Sequence, residues 1–101
     1  MIVRTWSARA TEAGAADYRN YFETTLLPQL RALDGFVEAV LLARPLGDLV
    51  ELTAHTTWES EEAIRTFAGA DLTTAKVEPE ASAMLTDSDP AVVHRTVLVT
   101  G

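Results

Sequence analysis

His55 and His94 are the only two histidines in the sequence, and theirs are the only side chains that ordinarily titrate near neutral pH. Both fall in segments with a strand pattern, and each has a polar neighbour of its own parity, Thr53 and Thr96. If the strands carrying them flank the first strand, Arg4 or Trp6 sits between them on one face. The result is a polar pocket able to give or take a proton, with a guanidinium at hand for a developing oxyanion. The plainer alternative is two half-buried strand histidines bonded to their neighbours. Trp6 and Trp58 offer wide apolar faces with a single donor each, suited to lining an aromatic ligand site or to filling a core. Tyr18 is open to the same two readings on the first helix, with Tyr21 nearby. Glu59, Glu61 and Glu62 stand where a helix begins, and Glu78 and Glu80 flank Pro79, so both acidic groups read as helix-terminus charges. A metal is not expected: His55, His94 and Glu51 lack the close spacing of H-x-H or H-E-x-x-H, and cysteine is absent. No glycine-rich phosphate loop or G-x-S-x-G turn is present.

The elements that must position these groups fit one domain spanning residues 1–101. A 48% hydrophobic and 23% charged composition is that of a globular chain. The net charge of −7, with eight basic residues scattered singly, excludes a basic face for nucleic acid. No apolar run is long enough to span a membrane. Absence of a secretory pattern at Met1–Trp6 and of cysteine leads to the expectation of a cytoplasmic protein.

Residues 2–10 have strand character, with Ile2, Arg4, Trp6 and Ala8 on one face and Val3, Thr5, Ser7 and Arg9 on the other. Thr11 is placed to cap a helix whose apolar stripe is Tyr18, Phe22, Leu26, Leu30 and Leu33, kinked at Pro28 and ended at Asp34-Gly35. Phe36–Ala43 reads as a strand covered on both faces, Pro45–Asp48 as a turn, and Leu49–Trp58 as an alternating strand. Ser60 caps a helix stopped at Gly69, Asp71 a further turn to Ala75, and Pro79 a short helix ending near Leu85. Thr86–Pro90 reads as a loop and Ala91–Val99 as the last strand. The order β-α-β-β-α-β predicts an α+β, ferredoxin-like fold: a four-stranded antiparallel sheet with helices on one face. Val40 and Leu42 beside Leu41, and Val93 beside Val92, leave the other face apolar in places. The economical cover is an identical subunit, so a homodimer is expected.

The stretch from Trp58 to Asp71, together with Pro79-Glu80, His94 and Ile2–Trp6, resembles the antibiotic biosynthesis monooxygenase-like family of dimeric α+β barrels. The resemblance covers nearly the whole chain. It implies a cofactor-independent oxygenase acting on an aromatic or polyketide-like substrate, without metal or flavin. Polyketide-oxidising members carry an asparagine four residues before the tryptophan, a tyrosine six after it and an arginine about twenty after it. Here those positions are Ala54, Ile64 and Glu78, while Trp58 remains. Haem-degrading members carry a histidine on the following helix, where this chain has Lys76-Val77. The resulting expectation is a monooxygenase with His55, His94 and Arg4 catalytic, and with Trp6, Trp58 and Tyr18 binding a small hydrophobic or aromatic ligand. The alternative is a non-catalytic dimer that binds a small ligand, and after it haem binding or degradation.

Overall fold

The computed structural model describes residues 1–101. Strand β1 (Ile2–Ala10) leads through Thr11 into helix α1 (Glu12–Tyr21), and the Thr11 hydroxyl accepts the Gly14 N–H as the expected cap. The helix then widens into a π turn over Phe22–Leu26, in which the Leu27 N–H reaches back to the Phe22 carbonyl. Helix α2 (Leu27–Arg31) continues the same rod with Pro28 in its first turn. The π turn is how the helix accommodates a proline that can neither donate nor pack against the preceding turn. Tyr18, Phe22 and Leu30 are buried and Leu26 and Leu33 half-buried, so the apolar stripe faces inward along the whole rod.

Strands β2 (Phe36–Leu46) and β3 (Leu49–Trp58) form a hairpin whose turn is only Gly47-Asp48. Pro45 therefore lies inside β2 and not in the turn, which is possible because β2 is an edge strand. Gly35, which turns the chain into β2, sits at φ 84° with Ala63 close enough that a Cβ here would lie 2.5 Å from its methyl. Ser60 caps α3 (Glu61–Ala68) through the Ala63 N–H, and Gly69 at φ 82° stops it.

Two expectations for the last third of the chain are corrected. Asp71 nucleates no helical turn: its carboxylate takes the amides and hydroxyls of Thr73 and Thr74 instead. The closing strand is also split. Thr86–Pro90 is not simply a loop, because β4 (Asp87–Ser88) pairs with Ala8 and Arg9, while β5 (Val93–Thr96) pairs with Ile2–Thr5. Between them residues 89–92 bow away from β1. There Ala75 donates to the Pro90 carbonyl and Val92 to that of Thr73, each at 2.9 Å. This bow ties the 71–78 segment to the sheet edge, after which α4 (Pro79–Ser82) returns over the helical layer.

The sheet order is β2-β3-β1, with β4 and β5 sharing the far edge, all antiparallel. This is the ferredoxin-like arrangement. Tyr18, Tyr21, Phe22 and Leu52 pack in one apolar cluster, and Leu30, Trp58, Ala63 and Ile64 in another. The opposite sheet face is bare: Val40, Leu42 and Val93 are 40%, 47% and 47% exposed. Within the chain, β2 is thus covered on one face only. No helix is long and apolar enough to cross a membrane.

Candidate active site

Register decides which groups meet. Arg4 of β1 lies opposite Thr56 on one side and His94 on the other, and Trp6 lies opposite Ala54. These residues share the parity of buried Ala8 and Leu52 and point at the helices. His55 lies opposite Thr5 and Val40, on the bare face. The expectation that His55 and His94 frame one pocket is therefore corrected: the sheet separates them. The sign was already present in β3, where His55 alternates with Leu52, Ala54 and Thr56 and keeps company with Glu51 and Thr53.

Between sheet and helices lies a cavity of about 270 Å³. Arg4, Trp6, Ala54 and Thr56 form its floor, Tyr18, Tyr21 and Phe22 one side, and Ala75–Glu78 the other. The aromatic side is continuous, with ring centres 6.3 Å apart for Trp6 and Tyr18 and 5.8 Å for Tyr18 and Tyr21. The Trp6 indole is fixed by donating to the Asp89 carbonyl at 2.8 Å, a contact made possible by the bow after β4. Neither tyrosine hydroxyl bonds to a protein group, and no polar side-chain atom is sealed away without a partner. Both phenols therefore end in accessible space. Burial pushes Tyr18 up to about 12, and it raises Tyr21 too, with Glu78 and Glu80 adding to the effect. Both remain neutral donors at physiological pH.

Arg4 is only 6% exposed and belongs to none of the chain's ion pairs. Its Nη1 donates to the Leu72 carbonyl at 3.1 Å and meets His94 Nε2 at 2.9 Å. The guanidinium carbon lies 5.9 Å from the centre of the Phe67 ring, a cation–π contact. Burial lowers its pKa, but a guanidinium stays charged in proteins. Because Arg4 can only donate, His94 Nε2 must accept, which assigns the ring proton to Nδ1. Burial first and the Arg4 charge second lower the His94 pKa, with Glu61 opposing. His94 is thus the neutral support of Arg4, reached from the adjacent strand and not itself on the cavity wall.

Trp58 is a second correction. It is fully buried, stacked on Phe67 at 5.8 Å, edge-on to Phe36 at 5.3 Å, and not among the residues that line the cavity. Its indole donates to Thr56 Oγ1 at 2.9 Å. It plugs the end of the core, the second of the two roles open to it. Of the residues expected at the site, Arg4, Trp6 and Tyr18 line the cavity, and His94 joins them through Arg4. The wall also holds Tyr21 and Lys76, which were not expected at the site, and Glu78, which was expected as a helix-terminus charge. Glu78 stands at the N-terminus of α4 but makes no capping bond, so its carboxylate is free. No histidine lines the cavity, and the one nearest it has its Nε2 against Arg4, so these residues do not fit a haem iron.

The whole chain superposes on solved structures of oxygenases and of a heme-degrader. It resembles the monooxygenase from ActVA-Orf6 of Streptomyces coelicolor in complex with nanaomycin D (TM-score 0.67, 20% identity, 99% of this chain and 92% of that one). It is similar to SnoaB, a cofactor-independent oxygenase of Streptomyces nogalater (TM-score 0.62, 18% identity, 98% and 95% covered). It is also similar to the heme-degrader MhuD of Mycobacterium tuberculosis (TM-score 0.62, 21% identity, 100% and 99% covered). No protein-family model matches the sequence, and no curated protein does. The chain thus has the fold of the antibiotic biosynthesis monooxygenase proteins, at identities that carry the fold alone.

Proposed function

We propose that this protein is a cofactor-independent monooxygenase acting on an aromatic, polyketide-like substrate held between sheet and helices. The observation that carries the reading is a cavity walled by Trp6, Tyr18 and Tyr21 with an un-neutralised guanidinium, Arg4, in its floor. Such chemistry requires a substrate turned into an electron-rich oxyanion that can reduce dioxygen. A buried positive charge favours that ion and costs no reorganisation when it forms. Arg4 can fill this role, as can Lys76, the second cation of the wall; His94 holds the Arg4 guanidinium in place, and Glu78, the only carboxylate of the wall, is available to take the proton. Trp6, Tyr18 and Tyr21 would hold a flat ring system, with the phenols donating to its oxygens. For an anthrone-type substrate the ring CH2 and O2 become a ring carbonyl and one water. The likeness in fold to proteins described as oxygenases supports the reading. Trp58 and His55 have no part in it.

A second copy of the chain would cover Val40, Leu42 and Val93, giving the homodimer that the two-faced strands call for. The test of the function is an oxygen electrode with an anthrone and no added metal or flavin. Uptake above the uncatalysed rate, falling at least tenfold in Arg4→Gln, is expected. A protein that binds the anthrone without consuming oxygen is instead a non-catalytic carrier.

A further inference from the structure

The three donors on Arg4 that face away from His94 have no acceptor in the protein. Nη1 is engaged by Leu72 and His94, whereas Nε and Nη2 bond to nothing. No polar side-chain atom is buried without a partner, so these two nitrogens reach open space, and Arg4 lines the cavity. Nε and Nη2 form the side edge of the guanidinium, whose paired N–H groups match the two oxygens of a carboxylate. The wall as a whole repeats the sign: Arg4 and Lys76 against Glu78 leave one net positive charge, in a chain whose total is −7. A buried charge without a counterion is costly unless something pairs with it.

We propose that Arg4 anchors the carboxylate of a monoanionic aromatic ligand, docked side-on against Nε and Nη2, with the ring system lying along Trp6, Tyr18 and Tyr21. This deepens the oxygenase reading and rests on the same cavity: the substrate class becomes an aromatic carboxylic acid, tethered at Arg4 and oxidised elsewhere on the ring, with Lys76, the other cation of the wall, left for its developing oxyanion. A cavity of about 270 Å³ sits near the lower limit for ligand sites and suits two or three fused rings better than a macrocycle.

The experiment is binding, measured by calorimetry and by quenching of tryptophan fluorescence in a Trp58→Phe background at neutral pH, so it needs no turnover. Three probes of similar size are compared: 2-naphthoate, its neutral amide 2-naphthamide, and ionised 4-nitro-1-naphthol, whose phenolate oxygen has no second oxygen beside it. Naphthoate is expected to bind at least tenfold more tightly than either. Arg4→Gln is expected to abolish that preference, and Arg4→Lys to restore only part of it. Equal binding of naphthoate and naphthamide to the wild type overturns the proposal, as does tighter binding of the naphtholate or an unchanged preference in folded Arg4→Gln. The wild-type comparison stands even if that variant does not fold. Naphthoate binding without oxygen uptake on any anthrone sinks the oxygenase reading alone. Anthrone oxidation with no preference for the carboxylate sinks this inference alone.

Discussion

Arg4 Nη1 and His94 Nε2 meet at 2.9 Å across two neighbouring strands, ninety residues apart in the chain. The contact joins a charge that cannot be lost to a ring that must stay neutral to accept it. Charging His94 would place two cations together. Its folded pKa is depressed, so its contribution to stability is complete above the unfolded value of about 6.5 and is lost as pH falls through the lower, folded value. Thermal unfolding followed from pH 8 to 4.5 should show a decline beginning below about 6.5. In His94→Gln, whose amide oxygen still accepts from Arg4, this part of the decline should vanish. A decline of unchanged size would show that His94 is not its source.

Trp58 should behave as a core residue. Removing a large buried aromatic leaves a cavity, so Trp58→Ala should cost about 3–5 kcal/mol, read from denaturant unfolding. Trp58→Phe should cost less and leave ligand affinity within about twofold, because Trp58 does not line the cavity. A tenfold loss of affinity in folded Trp58→Phe would return it to the site.

The wall at residues 75–78 depends on Asp71. Bonds from the side chains and amides of Thr74 and Thr73 hold the Asp71 carboxyl down at about 2. A depressed acid stabilises above its unfolded value, and the effect is lost as pH falls toward about 2. Asp71→Ala should therefore flatten the acid limb of the stability curve. It should also speed proteolysis between Gly69 and Glu78 and weaken ligand binding several-fold. If cleavage there is unchanged, the wall is held by the Thr73–Val92 and Ala75–Pro90 bonds without it.

The bare sheet face predicts self-association. Leu42 is 47% exposed, so Leu42→Asp should leave the fold intact while shifting sedimentation from dimer to monomer. Sedimentation of the wild type as a monomer would refute the expected cover.

Much of this architecture was legible because it is periodic. Tyr18, Phe22, Leu26, Leu30 and Leu33 mark one helix side, Val50 to Trp58 alternate, and Thr11, Ser60, Gly35 and Gly69 mark ends that the structure keeps. The π turn was not legible, since Thr24-Thr25 and the nearby Pro28 weaken the helix there without specifying a wider turn. The bow at 89–92 was hidden too. It depends on Arg9 pairing with Asp87 and Asp89, on Trp6 donating to the Asp89 carbonyl and on Thr74 meeting Ala91, all long-range contacts. At the site, residue type pointed to Arg4, Trp6 and Tyr18, which line the cavity, but only the register of β1 against β3 and β5 shows that Arg4 meets His94 and turns its back on His55.

If substrate reacts in the cavity over Arg4, Ala54→Phe should stop the reaction. The new ring would grow from the floor beside Trp6 into the cavity, leaving Arg4, His94 and the outer surface untouched. With the protein folded by circular dichroism, anthrone-dependent oxygen uptake should fall at least tenfold from the wild-type rate. Uptake that persists undiminished with the cavity filled would exclude the cavity as the place of reaction, and a wild type that consumes no oxygen at all would refute the oxygenase.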